Sequence, residues 1–498
     1  INAQLIDALT DEHIWAKSYD RQLNAANLFA LQSEISAEIT RALKATLTDE
    51  EQSRLAKIPT DSLAAYNLYT QGRDNLYKRR LDTLLKAREQ FQEAIALDPD
   101  YAEAYAGLAD SALLLLNNHQ AIPVDEAFDV AGTSLDKALS LNSGLADAHA
   151  SLGLLKQKMW EETRTGPGLE EAAACFVSAL ELNPNNATAY MWFAAVRGAQ
   201  RRIEDAIELY HESLRVDPLG KIPYANLPLL YALRGQNDIA LDLYVKAIGI
   251  HPEWPTAYQN LAQHLQGLGR MDEAVAWGMK GQELSTDPLG GVSMVGAYIE
   301  FGEYDKVQEI FSGVTAGHPM YVYGRGMEKA LQFDFAEAAE IVEHAIEGAE
   351  NPRQFELSLV AGFSLFAGDF DKARKYTELR NPEFAADADP EVDAFNVANL
   401  IRDAFILQNQ GENQRADTLL QAALDVVRTL PRVGLAGHGI RDVQILALQG
   451  KTFDALAALR EAIDEGFRGT AASNGWPFAI DPYLNSLRGL PGFEAMVG

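Results

Sequence analysis

Cysteine is almost missing from this 498-residue chain: Cys175 stands alone. One thiol excludes a disulfide scaffold and a cysteine-rich metal site, and it leaves the redox compartment open. Positive charge is also scarce, with 42 Lys and Arg against 71 Asp and Glu and a net charge of -29. That field repels phosphates and anionic lipid surfaces, so no direct nucleic-acid contact is expected. Long apolar runs are lacking. The densest, Ala112 to Leu116, is five residues, whereas a membrane span needs roughly 18. No basic-then-apolar signal segment opens the chain. It starts at Ile1 rather than Met, which points to processing or truncation upstream. The expected compartment is the cytoplasm, with the periplasm as the alternative.

What is present is a folded chain, 47% hydrophobic and 23% charged. A single core stops growing near roughly 250–300 residues, so this length means several domains or an elongated repeat array. The array is visible. LDPDYAEAYAGLA from Leu97, LNPNNATAYMWFA from Leu182 and IHPEWPTAYQNLA from Ile250 each read as a helix end, a proline turn and a new helix. Pro184, Pro218 and Pro252 are spaced 34 apart, the period of a tetratricopeptide helical hairpin. Small residues twelve apart, Ala194/Ala206, Pro228/Ala240 and Ala262/Ala274, let two helices approach closely. A bulky residue four positions later fills the groove toward the next hairpin.

Gly72/Ala87, Ala109/Ala131 and Gly153/Ala172 extend the pattern backward with wider gaps, read as insertions in the inter-helix loops. Val295/Val307, Gly326/Ala338, Ala361/Ala373, Ala404/Ala416 and Val443/Ala455 extend it forward in degenerate form. Gly235, Gly269, Gly302, Gly368, Gly411 and Gly450 suit the left-handed turns that close first helices. Pro228 is expected to kink its helix. The fold class is therefore mostly α: a TPR-type right-handed α-α superhelix of about eleven hairpins, with a small N-terminal α/β remnant.

The first residues differ. Ala3–Ala8 and His13–Asp20 alternate around a turn and read as a β-hairpin, and Leu28–Leu47 reads as an amphipathic helix. A lone hairpin is marginal, so a larger sheet is expected, its remainder preceding Ile1. The end, from Trp476, reads as a short closing helix with aromatic anchors. The domains expected are 1–56, the end of the α/β piece; 57–290, regular hairpins; 291–465, degenerate hairpins; and 466–498, a cap.

INAQLIDA, HIWAKSYDRQL, FALQSEISAEITRAL and the closing DPYLNSLRGLPGFEAMV together resemble a bacterial family in which a TolB-like (FlgO-like) domain precedes a tetratricopeptide array. In that family a class III nucleotide cyclase or a winged-helix DNA-binding domain often stands upstream. The resemblance implies the sensory or scaffolding tail of a longer signalling protein.

Motifs for catalysis are lacking. Ile445 stands where a phosphate loop ending in Gly450, Lys451 and Thr452 needs glycine. GRGMEK from Gly324 follows no strand. Gly434, Gly437, His438 and Gly439 form either an anion loop or a plain connection. The nine histidines include no HExxH and no metal-ligand pair, so neither metal nor cofactor is expected. Cys175, inside AAACFVSAL, is expected to be buried.

The remaining surface is the wall of first helices, which suits an extended peptide or a partner helix. Asn226 and Asn260 occupy equivalent places in consecutive units and can clamp a peptide backbone. A similar asparagine ladder lines the groove of O-linked N-acetylglucosamine transferase, although Trp192 and Ser293 flank the pair here. Gln259, Gln263, Gln266 and Arg270 add amides and a charge. Tyr69, Arg73 and Tyr77, four apart, form either an aromatic and cationic anchor or a packing face for the α/β piece. The lysine and asparagine set of chaperone adaptors is not recognisable. The reading is a non-catalytic module for a protein or peptide ligand, of undetermined oligomeric state. Its rivals are the tail of a nucleotide cyclase and the effector region of a DNA-binding regulator.

Overall fold

The computed structural model describes the chain apart from residues 8–9, 21–24, 44–47, 49–58, 120, 164–167, 317–319, 348–353, 382–391, 393–395, 434–436, 466, 468–477, 479 and 498. It divides into two compact units, Ile1–Pro218 and Leu219–Gly498.

The first unit begins with β1 (Asn2–Ile6) and β2 (His13–Ser18), paired antiparallel with Asn2 opposite Ser18 and Leu5 opposite Trp15. Asp11 takes φ 57° in the turn, and the Asp7 side chain accepts the Thr10 amide at 3.2 Å. Helix α1 (Ala25–Ala42) lies against β2, where Lys17 Nζ meets Glu34 at 3.1 Å and Glu38 at 3.6 Å. Expected positions 44–47 of that helix fall outside the described residues.

Four hairpins follow. They are α2 (Leu63–Lys78) with α3 (Leu81–Leu97), and α4 (Ala102–His119) with α5 (Val124–Leu141). Next come α6 (Ala146–Thr163) with α7 (Leu169–Leu182), and α8 (Ala187–Ala199) with α9 (Ile203–Val216). The small-residue pairs sit where the helices touch: Ala109, Ala131, Ala172, Ala194 and Ala206 are all 0% exposed. The bulky positions four later, Phe91, Phe176 and Tyr210, fill the seams. Phe91 of α3 serves two glycines. A Cβ on Gly72 would lie 2.7 Å from its ring and one on Gly107 2.5 Å, so only glycine lets both first helices close on it. Burying such a ring contributes about 1.5–3 kcal/mol.

One expectation is corrected. The extra residues of the first three hairpins lengthen helices more than loops. Only Arg79 and Arg80 separate α2 from α3, while α4, α5 and α6 each run 18 residues against 13 for α8. Runs such as LDTLLKAREQF are rich in helix formers, and extending a helix adds a backbone bond per residue.

The second unit continues with α10 (Lys221–Leu233), α11 (Asn237–Ile250), α12 (Pro255–Gly267) and α13 (Met271–Leu284). Helix α10 runs through Pro228, which is buried against its neighbours. The regular period then falters. Pro288, Gly290 and Gly291 hold Pro288–Met294 as a 3-10 stretch, leaving the first α-helix of that hairpin, α14 (Val295–Glu300), only six residues long beside α15 (Tyr304–Ser312). Asp287 caps the stretch, accepting the Leu289 amide at 2.7 Å.

Regularity returns in α16 (Tyr321–Ala330) with α17 (Phe335–Ile346), and in α18 (Gln354–Ala367) with α19 (Phe370–Arg380). The last hairpins are α20 (Val397–Asn409) with α21 (Asn413–Val427), and α22 (Arg441–Leu448) with α23 (Thr452–Asp464). The six turn glycines have φ between 72° and 87°, as their place after first helices requires. A 3-10 turn (Pro482–Leu487) and α24 (Pro491–Val497) close the array, with Leu484, Leu487 and Phe493 buried against Val443, Ala455 and Leu459. Trp476 lies outside the described residues. Asp481 pins this cap: its carboxylate accepts Gln444 Nε2 at 2.7 Å and the Tyr483 amide at 2.9 Å. The chain is a mostly helical array of tetratricopeptide-type hairpins.

Candidate functional site

First helices of neighbouring hairpins lie about 8–10 Å apart, so a side chain on one cannot reach the next but one along a flat row. Arg73 on α2 does so. Its Nη1 meets Asp147 Oδ2 at the start of α6 at 3.4 Å, past the whole of α4–α5. Tyr77 reaches further, its hydroxyl donating to Asp217 Oδ2 after α9 at 3.2 Å. The row of first helices therefore curves toward the face that bears Tyr69, Arg73 and Tyr77. That face is the concave wall of the first unit.

The wall has a polar floor. Asp147 Oδ1 accepts Asn186 Nδ2 at 2.8 Å, and Asn186 also caps α8 by accepting the Ala189 amide at 3.0 Å. Asp110, on α4, is buried, and its Oδ1 has no partner. Burial pushes its carboxyl up to about 7, against the opposing pull of Ser151 and Arg73. Tyr69 stacks obliquely on Phe91 at 5.9 Å and Tyr101 at 5.1 Å, and burial lifts its hydroxyl to about 12. The Arg73 guanidinium is held above its ordinary value, first by Tyr69 and then by Asp147 and Asp110. Asp110 is thus a buried and only partly satisfied carboxyl beneath the more exposed Arg73 and Asp147 pair.

Tyr66 meets the α/β piece, edge-on to Phe29 at 4.8 Å and accepting from Gln32 at 3.1 Å. Tyr69 packs on Phe91 of its own hairpin and on Tyr101 just before α4, whereas Arg73 and Tyr77 reach side chains of later hairpins. Asp110, Asp147, Asn186 and Asp217 were not picked out by sequence reasoning. Asp147 reads locally as an acid complementing a helix start; the only signal was an inward arginine needing a counter-charge.

In the second unit Asn226 and Asn260 are both half-buried, on the adjacent first helices α10 and α12. Gln263 is exposed. Gln259 donates to the Gly290 carbonyl at 3.0 Å, and Gln266 is buried and donates to the Ser293 carbonyl. Arg270 precedes α13 and grips Glu273 with both nitrogens, at 2.6 and 2.7 Å. Gln259 and Gln266 thus hold the following 3-10 stretch, while Gln263 stands exposed.

The remaining motifs resolve as architecture. Gly450, at φ 72°, is a hairpin turn, and Gly324 and Gly326 lie within α16. Gly434 falls outside the described residues. Gly437 and Gly439 give their carbonyls to Arg441 and Arg432, and Arg432 also forks onto Asp442 at 3.0 Å. Cys175 is half-buried rather than buried, and the burial it has pushes its thiol above the ordinary value, against the pull of Lys156. Among the described residues no cluster of metal-ligating side chains occurs, and no helix is long and apolar enough to cross a membrane.

No family model matches the chain. It is 31% identical over 155 residues to "Putative adenylate cyclase 3" of Rhizobium meliloti (strain 1021), a match covering 31% of this chain and 26% of that relative. It is 42% identical over 91 residues to tetratricopeptide repeat protein 28 of Homo sapiens, 18% of this chain and 4% of that one. The chain thus spans about a quarter or less of these relatives' lengths. Among solved structures, a thermophilic TPR protein of Thermus thermophilus aligns at TM-score 0.32 and 22% identity, covering 38% of this chain and 92% of that one. The period, the turn glycines and the paired helices make this chain a tetratricopeptide-repeat array.

Proposed function

We propose that the chain is a non-catalytic interaction module that holds a peptide or protein partner along its walls of first helices. The observation that carries this reading is the inward row Tyr69, Arg73 and Tyr77 over the buried, half-satisfied Asp110. Tyrosine and arginine supply most of the energy in protein interfaces when they sit at the centre of a concave surface. In the second unit Asn226, Asn260 and Gln263 are the amides assigned to the partner backbone, while Gln259, Gln266 and Arg270 steady the helices that bear them.

The likeness to the Rhizobium relative favours a more specific version. In it, this array is the regulatory tail of a class III nucleotide cyclase, and β1, β2 and α1 close a TolB-like domain. The output then resides in residues outside this sequence.

Selection of a random peptide library on the immobilised chain tests the capture. Enriched peptides should lose affinity about tenfold or more with Tyr69→Ala or Arg73→Ala, while circular dichroism stays unchanged. No enrichment, or equal affinity in both variants, overturns the reading.

A further inference from the structure

The second unit carries a polar cluster on α19, α20 and α21 that the proposed capture does not use. Arg380 ends α19, and its Nη1 and Nη2 both reach Asn399 Oδ1 on α20 at 3.3 Å. One turn along, the Arg402 side chain is 13% exposed, and its neighbour Asp403 is buried. Arg402 Nη2 meets Asp403 Oδ1 at a long 3.5 Å, and the buried Arg402 Nε has no acceptor.

The arginines around them are spoken for. Arg374 pairs with Glu378 at 2.7 Å and Glu412 at 2.5 Å, and Arg415 with Glu412 at 3.8 Å. Among the described residues Asp403 is the carboxylate that pairs with Arg402 and acts electrostatically on Arg380, with Arg415 a lesser influence on it. Burial and the adjacent Arg402 charge hold the Arg380 guanidinium below its ordinary value, with Asp403 opposing them. A desolvated Arg402 and a half-buried Arg380 face one carboxylate, and that carboxylate is itself raised by burial. An uncompensated charge in such a place is strongly unfavourable, so buried ion networks ordinarily balance. Among the described residues, Arg380 and Arg402 together carry one positive charge more than Asp403 balances.

We propose that Arg380 and Arg402 form an oxyanion site, taking a carboxylate or phosphate group of a ligand with the Asn399 amide as a neutral donor. The planar guanidinium fork matches both groups, each of which offers it a pair of negatively charged oxygens. Arg380 and Asn399 are half-buried or more exposed than Arg402, so the site opens to solvent on their side. A bound anion supplies the missing counter-charge and the acceptors that Asp403 alone does not.

The test is calorimetric titration of the full chain with inorganic phosphate and, separately, with N-acetyl-Asp-Asp-amide, against chloride at equal ionic strength. Saturable binding of either probe is expected, and the probe that saturates at lower concentration identifies the source of the oxyanion. Arg402→Gln should weaken it about tenfold or more, and Arg380→Gln several-fold. Asp403→Asn should tighten binding, because it releases both guanidinium groups from their internal competitor. If Arg402→Gln fails to fold, Arg380→Gln at the helix end carries the test. Neither probe binding beyond chloride, equal binding by the arginine variants, or weaker binding by a folded Asp403→Asn overturns the site.

Discussion

Arg73 and Asp147 stand 74 positions apart and meet at 3.4 Å, although a complete hairpin lies between them in the chain. Their side chains are 40% and 36% exposed, so water and salt screen the attraction. A double-mutant cycle of Arg73→Gln and Asp147→Asn, read by urea unfolding, should give a coupling below about 1 kcal/mol. A much larger coupling would make the pair a structural strut rather than part of a binding wall.

Asp110 makes the stability of the first unit depend on pH. Its folded carboxyl lies near 7, whereas an exposed aspartate titrates near ~3.9. Between those values the folded state holds a proton that the unfolded chain has lost. Asp110 therefore contributes stability at low pH, and the contribution fades as pH rises through about 7. Thermal unfolding of wild type and Asp110→Asn should show a wild-type advantage that grows from pH 7 to pH 5. Parallel curves would contradict the burial assigned to Asp110.

Two glycines should respond oppositely to alanine. A Cβ on Gly107 would strike Phe91 at 2.5 Å, so Gly107→Ala should cost about 1–3 kcal/mol through overpacking. Gly198, inside α8, has nothing within 4 Å, and Gly198→Ala should be neutral or stabilise by up to about 1 kcal/mol. Denaturant midpoints measure both. Equal effects would mean that Phe91 does not set the spacing of α2 and α4.

Gly450 tests the turn reading of the GKT segment. Its φ of 72° meets no neighbouring atom, so Gly450→Ala should cost about 1 kcal/mol from backbone strain alone. Gly450→Asn should recover part of that loss, because asparagine tolerates the left-handed region. Unfolding free energies check it, and no difference between alanine and asparagine would count against a backbone origin.

Much of this architecture was legible because each hairpin repeats the same local solution. Small residues twelve apart, a ring four later and a glycine at the turn report packing within about 34 residues. The longer helices of the first three hairpins were not legible, since a wider gap between small residues does not say whether loop or helix absorbs it. At the wall, Tyr69, Arg73 and Tyr77 shared an evident face, but their partners depend on curvature accumulated over two to four hairpins. Nothing near Asp147 or Asp217 in the chain encodes that distance. Cys175 misled for a related reason: an alanine-rich helix reads as core all round, yet the helix shows its cysteine side partly to solvent.

The bond from Tyr77 to Asp217 alters how the first unit must come apart. A stack whose members touch only their neighbours can fray from one end, each loss leaving the rest intact. Here the second helix and the segment after the ninth are tied across 140 positions. The line of neighbours becomes a ring in the network of contacts, and breaking any one interface inside it leaves its ends still tethered. The bond is modest, about 1 kcal/mol, yet its two ends meet only while every hairpin between them is in place.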